Sequence, residues 1–224
     1  MSPSNESLVF LTVRGTLVPK TLEAGCQLHN QTAGSPEGIA AARALGDLSH
    51  KVYSPVPGLG AKDGEVLFFD WWKTADGIAQ FFSNPQVHGM ASKLFSEREA
   101  TMWTPARSAF GFELPPPAHR PERWVGVVRG PVASPERAIE VFRGVLADKL
   151  SLARQRGQLS HQLLVKIPAP GDSSGPEVLG VDLWFDAAGM KAHYDSLSGY
   201  EKAFAAKPQT SVWQEGTGGV WSEW

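Results

Sequence analysis

The chain has 224 residues, of which 42% are hydrophobic and 20% charged, and a formal net charge of −2. This length allows one large domain or two small ones. The charge argues against a nucleic-acid partner and against an anionic membrane surface, because both need a basic face. The longest apolar runs have only the length of strands, so we expect no membrane-spanning segment. Cys26 is the single cysteine, which fits a reducing compartment, and we expect a cytoplasmic protein.

The first half of the chain predicts an alternation of strands and helices. Runs of β-branched and apolar residues indicate strands, and Ser or Thr before an apolar pattern indicates a helix start. The predicted elements are a strand at 7–14 ended by Gly15, a helix from Pro19, a helix at 37–45 capped by Ser35, strands at 48–53 and 65–72, a helix after Thr74 or Asp76, a shorter helix at 85–99 and a strand at 108–112.

A proline-rich segment at 115–122 lies near the middle of the chain, and its prolines favour an extended spacer. We therefore expect an N-terminal repeat at 7–114, a linker at 115–122 and a C-terminal repeat at 123–224. The second half predicts the same order of elements, namely strands at 124–129, 159–167, 177–185 and 211–224, with helices at 134–156 and from Asp186 to Tyr194.

One stretch of sequence occurs twice. The letters EVLFFDWW at 65–72 return as EVLGVDLW at 177–184, with Glu, Val, Leu, Asp and the final Trp in the same places. A repeat of this length indicates one structural unit used twice. Each half has the order strand, helix, strand, strand, helix, strand, which is the ferredoxin-like βαββαβ arrangement. The predicted fold class is α+β, with two ferredoxin-like repeats whose antiparallel sheets face each other as an intrachain pseudo-dimeric α+β barrel.

Alternation along the repeated strand separates two faces. We expect the apolar face with Leu67, Phe69 and Trp71 to lie against the helices. The other face, with Asp70 and Trp72, should then point to the interior between the two sheets. Because a buried carboxylate is costly without a partner, each aspartate predicts a partner nearby.

The loop lengths suggest what that partner is. Residues equidistant from the centre of an antiparallel hairpin lie opposite each other. This rule pairs His50 with Asp70, and His161 with Asp182, across two loops of different length. A histidine held by a carboxylate can act as a general base through its other ring nitrogen. Two buried pairs that only satisfy each other remain the alternative.

Further residues are candidates for contact with a ligand. Arg14 and Arg129 end the first strands, and either they bind a ligand oxygen or they pair with the aspartates. The pair His29-Asn30 has no counterpart in the second half and predicts a pocket specific to the first. The aromatic candidates for stacking on a ligand are Phe68, Trp72 and Trp184. We find no metal-binding spacing of Cys and His and no phosphate-binding loop.

The two halves differ at one place on the repeated strand. Gly180 stands where the first half has Phe68, which removes a large ring from the face that carries the aspartate. We therefore expect open space near the second half first. A cavity beside at least one of the two histidines is a requirement of the catalytic hypothesis.

The element order, the glycine-led second strands at 46–53 and 157–164, and the acid-x-Trp third strand running into a helix resemble the antibiotic biosynthesis monooxygenase-like domains of the dimeric α+β barrel superfamily. The resemblance covers nearly all of both halves. It implies a small, largely apolar cavity between each sheet and its helices. It also implies a tandem copy that forms a pseudo-dimer in one chain, with further homodimerisation open.

The resemblance implies a cofactor-independent monooxygenase that acts on a small aromatic or polyketide-like substrate, with no cofactor. In this hypothesis one of the His–Asp pairs supplies the base. A non-catalytic protein that binds a small ligand is the alternative. Haem binding or degradation ranks lower, because His193 is the only obvious axial ligand for a haem and the motifs that accompany it in tandem haem enzymes are absent.

Overall fold

The computed structural model describes residues 8–106, 111–113 and 123–224. Nine strands and seven α-helices lie in this part of the chain. The strands are β1 Val9–Leu17, β2 Asp47–Pro55, β3 Glu65–Trp72, β4 Phe95–Pro105, β5 Phe112–Glu113, β6 Trp124–Pro131, β7 Gln158–Lys166, β8 Glu177–Trp184 and β9 Gln209–Glu215. The helices are α1 Leu22–Gln31, α2 Pro36–Ala44, α3 Ala75–Ser83, α4 Pro85–Leu94, α5 Pro135–Ala147, α6 Leu150–Gln155 and α7 Ala187–Asp195, with a 3₁₀ turn at Tyr200–Ala203.

The chain divides into two compact units. The first comprises the residues up to Pro55 together with Lys62–Thr104 and Gly216–Trp224, and the second comprises Val56–Ala61 and Pro105–Glu215. Within the first unit the strand order is β4-β1-β3-β2, and within the second it is β9-β6-β8-β7-β5. Every pairing within these two sets is antiparallel. Each unit therefore has the strand order of a ferredoxin-like fold, as the sequence predicts. The predicted linker at 115–122 falls outside the described residues, and the predicted domain bounds remain a prediction.

Several element boundaries differ from the predictions. Strand β1 continues through Gly15, where a side chain would meet the ring of Phe95 at 2.4 Å. The glycine is therefore needed for close packing and does not end the strand. Strand β4 begins at Phe95, inside the predicted helix at 85–99. Residues 96–100 of this strand are all exposed, so they show no alternation that could reveal it.

Two elements of the second half are shorter than predicted. The helix expected at 134–156 is divided into α5 and α6 at Asp148 and Lys149. Strand β9 ends at Glu215, because the glycines that follow interrupt it: Gly218 and Gly219 have φ of 84° and 146°. Positive φ values of this kind favour glycine and do not occur in regular strands. No helix in the described residues is long and apolar enough to cross a membrane.

The predicted assignment of the two strand faces is wrong, because the aspartate face is the one that packs on the helices. In the second unit Val178 packs with Ala138 and Phe142 of α5, and Trp184 packs with Met190 of α7. The opposite face is also buried, with Phe69 only 6% exposed. Since both faces exclude water, an apolar run alone cannot show which of them the helices cover.

Candidate functional site

Asp182 is the centre of a hydrogen-bonded group in the second unit. His161 lies directly opposite it on β7, and the His161 Nδ1 to Asp182 Oδ1 distance is 2.6 Å. Gln158 Nε2 donates to the same oxygen at 2.8 Å, and the Tyr194 hydroxyl donates to Oδ2 at 2.8 Å. The pairing that hairpin symmetry predicted is therefore present.

This arrangement defines the tautomer of His161. Asp182 accepts from an amide and from a phenol, so its oxygens act as acceptors, and the imidazole donates to it through Nδ1. The nitrogen left over is Nε2. No described residue forms a hydrogen bond with His161 Nε2. The atom is also not fully buried. His161 Nε2 is therefore the ring nitrogen without a described partner, and Asp182 sets the orientation of the ring.

The His161 ring lines a cavity of about 390 Å³ that lies within the second unit. Its walls come from the aspartate face of the sheet, from α5, from the region of α7 to the 3₁₀ turn, and from the loop before β3. The lining is Gly58, Leu59, Gly60, Gly126, Val127, Val128, Phe142, Val145, Leu146, His161, Gly180, Asp182, Tyr194, Leu197, Tyr200, Thr210, Ser211 and Val212. Apolar walls with a few converging polar groups are typical of a small-molecule site.

Two glycines create the space for this group. A Cβ on Gly126 would lie 1.9 Å from the Tyr194 hydroxyl, so the strand must lack a side chain there for Tyr194 to reach Asp182. Gly180 faces the same cavity, and a Cβ there would lie 2.8 Å from Val128. In the first unit these positions are Leu11, opposite Asp70, and Phe68. The space predicted near Gly180 is thus present.

Tyr194 connects the aspartate to the helix layer. Its hydroxyl accepts a hydrogen bond from Trp184 Nε1 at 3.2 Å while it donates to Asp182. Burial and the neighbouring Asp182 charge hold the pKa of Tyr194 well above its ordinary value, so the phenol stays protonated. The indole of Trp184 is fully buried and does not line the cavity, so the prediction that it stacks on a ligand is wrong: it supports Tyr194.

In the corresponding group of the first unit, both ring nitrogens of the histidine already have partners. His50 Nδ1 lies 2.5 Å from Asp70 Oδ1, as predicted, but His50 Nε2 lies 3.1 Å from His29 Nε2. Asn30 turns its Oδ1 toward the Ser222 N–H, so His29 donates to that oxygen through Nδ1. Burial lowers the pKa of His29 to about 4, which keeps it neutral. His29 Nε2 must then accept a hydrogen bond from the Nε2–H of His50, so His50 has no free lone pair at Nε2.

Side chains also fill most of the space around this first pair. The cavity there is about 80 Å³ and is lined by His29, Phe68 and Trp72, among others. Phe68 packs against His50 at 5.0 Å between ring centroids, and Trp72 packs against Phe81 at 5.5 Å. The expectation that His29-Asn30 belongs to a feature of the first half alone agrees with this geometry, although Asn30 holds His29 and residues 220–222 rather than lining the cavity.

The first unit has a buried carboxyl group at a position where the second unit has an amide. Asp47 occupies the position of Gln158, since each pairs with the last Trp of the neighbouring strand. Asp47 is buried, and its pKa is raised to about 7, first by desolvation and then by the charge of Asp70. The second unit has a neutral amide there, which donates to its aspartate instead of repelling it.

The two arginines do not belong to either site. Arg14 lies opposite Leu67, and Arg129 lies opposite Leu179, which places both on the face turned away from the aspartates. Each pairs with the glutamate that begins the third strand: Arg14 with Glu65 at 2.7 Å, and Arg129 with Glu177 at 2.8 Å. Both sequence-based alternatives, contact with a ligand in these cavities and pairing with the aspartates, are therefore wrong.

Several residues of the site were missed from the sequence. Tyr194 differs from its counterpart Phe82 by one hydroxyl, and Gly126 replaces Leu11. Both differences were visible in a comparison of the two halves, as was Gln158 in place of Asp47.

No protein-family model and no curated protein matches this chain. Among solved structures, it is similar to an anthrone oxidase-like protein, with a TM-score of 0.64 and 14% identity over 96% of this chain and 93% of that one. A Fusobacterium nucleatum protein with the provisional description of a monooxygenase gives 0.58 and 10% over 98% of both chains. The DyP-type peroxidase of Mycobacterium smegmatis gives 0.56 and 10% over 95% and 93%.

The chain has the dimeric α+β barrel fold. These similarities extend over nearly the whole chain, and they confirm the predicted resemblance at the level of fold. At such identities they show the fold alone. The site must therefore be interpreted from its own residues.

A haem bound to this chain would need space at His193, the axial ligand that the sequence offers. His193, the candidate axial ligand, is 1% exposed and packs on Trp184 with ring centroids 5.1 Å apart. It lines only a void of about 10 Å³, and it is not part of the 390 Å³ cavity. A void of that size holds about one water molecule, so a porphyrin cannot reach His193 in this packing. The residues around His193 therefore do not fit an axially bound haem.

Proposed function

We propose that the second unit is the active site of a cofactor-independent monooxygenase-like enzyme, with His161 as the general base. The observation that carries this proposal is that His161 lines the 390 Å³ cavity while Asp182 holds its Nδ1 and no described residue bonds to its Nε2. The substrate class is a small aromatic with an acidic C–H or O–H. The fold shared with an anthrone oxidase-like protein supports this class.

The chemistry needs only a base and dioxygen. His161 removes a proton from an activated CH₂ of the substrate, which leaves an electron-rich carbanion. The carbanion adds O₂ to form a C–O bond, and the peroxide takes back the proton from His161. Loss of a second C–H proton then breaks the O–O bond, which gives a C=O group and one molecule of water. Every electron that the substrate loses goes to O₂.

The surrounding groups have separate roles in this scheme. Asp182 and Tyr194 keep His161 in the Nδ1–H tautomer and stabilise the imidazolium that forms when it takes up the proton. The apolar walls exclude water from the carbanion, which water would otherwise reprotonate.

Oxygen uptake with anthrone as the probe tests the proposal. The wild-type protein should consume O₂ in proportion to its concentration, above the spontaneous oxidation of anthrone. His161→Gln should lower this rate by about 10²–10⁴-fold, which is the usual contribution of a positioned base. His50→Gln is the matched control and should keep the rate, because His50 has no free lone pair. Equal rates in the wild-type protein and the His161 variant would refute the proposal.

A non-catalytic ligand-binding protein is the second candidate. The closed first unit favours it, since that unit keeps the fold while the second nitrogen of its histidine is blocked. This alternative predicts that anthrone binds to the wild-type protein without any oxygen uptake above the blank.

A further inference from the structure

Residues 216–224 lie along the first unit without forming a helix or strand. The Gly216 N–H donates to Val52 O at 3.0 Å, and His50 and Trp224 exchange backbone hydrogen bonds of 2.8 and 3.2 Å. We call these residues the 216–224 segment. It covers the outer edge of β2, which is the strand that carries His50.

Side chains of the first unit hold this segment at two more places. Asn30 uses both ends of its amide: Nδ2 donates to Val220 O at 2.7 Å, and Oδ1 accepts from the Ser222 N–H at 2.8 Å. Val52 N–H donates to Glu223 Oε1 at 2.8 Å. The same Asn30 oxygen accepts from His29, so the position of the segment is linked to the histidine pair.

Two indole rings of the segment lie over the His50 group. Trp224 stacks on His50, with ring centroids 4.6 Å apart and planes inclined by 23°, and it lines the 80 Å³ cavity. Trp221 packs against His29 at 5.4 Å. Trp224 Nε1 is buried, and no hydrogen bond of ordinary geometry joins it to the described residues. The Trp224 side chain lies beside Asp47, and it lowers the pKa of that carboxyl against the larger effect of desolvation, which raises it. The ring is therefore held by stacking, by shape and by its place next to Asp47.

The Trp224 ring lies on His50 in the way that a ligand lies in a binding site, and not in the way that a core residue packs from a strand. The ring reaches its place from an irregular segment, through a few hydrogen bonds, and it stacks on the histidine that corresponds to His161. The polar atoms of His50 and Asp70 are already paired with each other and with His29. Asp47 also lines this cavity and lies beside the Trp224 side chain. An occupant of this place therefore needs a flat uncharged ring, and an N–H on its edge suits Asp47.

We propose that the first unit contains a second binding site, for a flat uncharged aromatic ring, and that Trp224 is its resident occupant. An external aromatic binds there by displacing the 216–224 segment. Its apparent affinity is then the intrinsic affinity multiplied by the fraction of molecules in which the segment is undocked. This site is separate from the His161 cavity, and it binds without chemistry because His50 has no free lone pair.

Indole is the probe, and the His161 cavity must be blocked so that only this site is measured. Gly180→Phe does this with the ring that the first unit has at the same position, and Val13 opposite Phe68 corresponds to Val128 opposite Gly180. In this background, calorimetry should show that Trp224→Ala binds indole at least about tenfold more tightly, since the competitor is gone. Val220→Ala is the matched control, because Val220 is 91% exposed in the same segment. It should leave the affinity unchanged.

A second measurement keeps the intact segment, in case Trp224→Ala does not fold. Saturating indole should speed hydrogen exchange at the amides of Gly216, Ser222 and Trp224 in Gly180→Phe, because their hydrogen bonds break when the segment leaves. Unchanged exchange at these amides under saturating indole would overturn the proposal. An equal affinity of the Trp224→Ala and Val220→Ala proteins for indole would also overturn it.

Discussion

At the scale of single residues, the two histidines differ in only one contact that decides their chemistry. Both hold an aspartate through Nδ1, but His50 donates from Nε2 to His29, while His161 has no described partner at that atom. The His–Asp pairing was predictable, because hairpin symmetry depends only on loop length. The block on His50 was not, because His29 reaches it from α1, and sequence spacing does not show where a helix face will point.

Asp47 gives a pH dependence that can be measured. Its pKa rises from an ordinary value of 3.8 to about 7 in the folded protein, so the folded state keeps a proton that the unfolded state has lost. Folding stability should therefore fall as the pH rises from about 4 to about 7, and the full penalty is present above pH 7. Asp47→Asn should remove this penalty and stabilise the protein at pH 8 by about 1–4 kcal/mol.

Urea unfolding at pH 4 and pH 8 measures the effect. The variant and the wild-type protein should have similar stability at pH 4, where Asp47 is protonated in the folded protein. Asn keeps an oxygen that can accept from the Ser49 N–H, as Asp47 does at 3.2 Å, so it is a close substitute. An Asn variant that is no more stable than the wild-type protein at pH 8 would show that Asp47 is not desolvated as the structure indicates.

At the scale of elements, the Tyr194 hydroxyl joins α7 to β8 through two hydrogen bonds, since it donates to Asp182 and accepts from Trp184 Nε1. Tyr194→Phe removes that donor and also the acceptor of Trp184 Nε1. Because the groups left behind are buried, the free energy of unfolding should fall by about 1–3 kcal/mol. Phe82 stands at the same place in the first unit, so the ring itself fits the fold. Phe82→Tyr is the reverse control, and chemical denaturation compares the pair.

The outcome for oxygen uptake separates two roles of Tyr194. If Tyr194 positions Asp182 and His161, the rate with anthrone should fall in Tyr194→Phe, and the pH at which the rate is half-maximal should shift. A purely structural role would lower stability and leave that pH unchanged. An unchanged pH profile together with an unchanged rate would contradict the positioning role.

Elements were predictable where the sequence repeats itself. The bounds of β3 and β8 coincide with the repeated stretch, and the helix starts at Thr74 and Ser134 are marked by their caps. Strand β4 was missed because five consecutive exposed residues conceal its alternation. The face assignment failed for a different reason: an aspartate on the helix side is acceptable once Tyr194 and His161 satisfy it, and residue patterns do not show such partners in advance.

At the scale of the whole molecule, the same unit occurs twice, with a small cavity in the first copy and a large one in the second. The first is filled by Phe68, Leu11 and Trp224, and the second is left open by Gly180 and Gly126. Duplication allows this division, because one copy can keep the fold stable while the other carries a cavity that costs packing energy. We therefore expect a single reactive site per chain, in the second unit.

Anaerobic mixing with anthrone tests that requirement most directly, because it isolates proton removal from the reaction with O₂. The visible absorbance of the anthrone anion reports how many equivalents form. We predict one equivalent per chain in the wild-type protein and in His50→Gln, and none above the blank in His161→Gln. Anion formation that survives in His161→Gln, or that is lost only in His50→Gln, would contradict the assignment of His161 as the base.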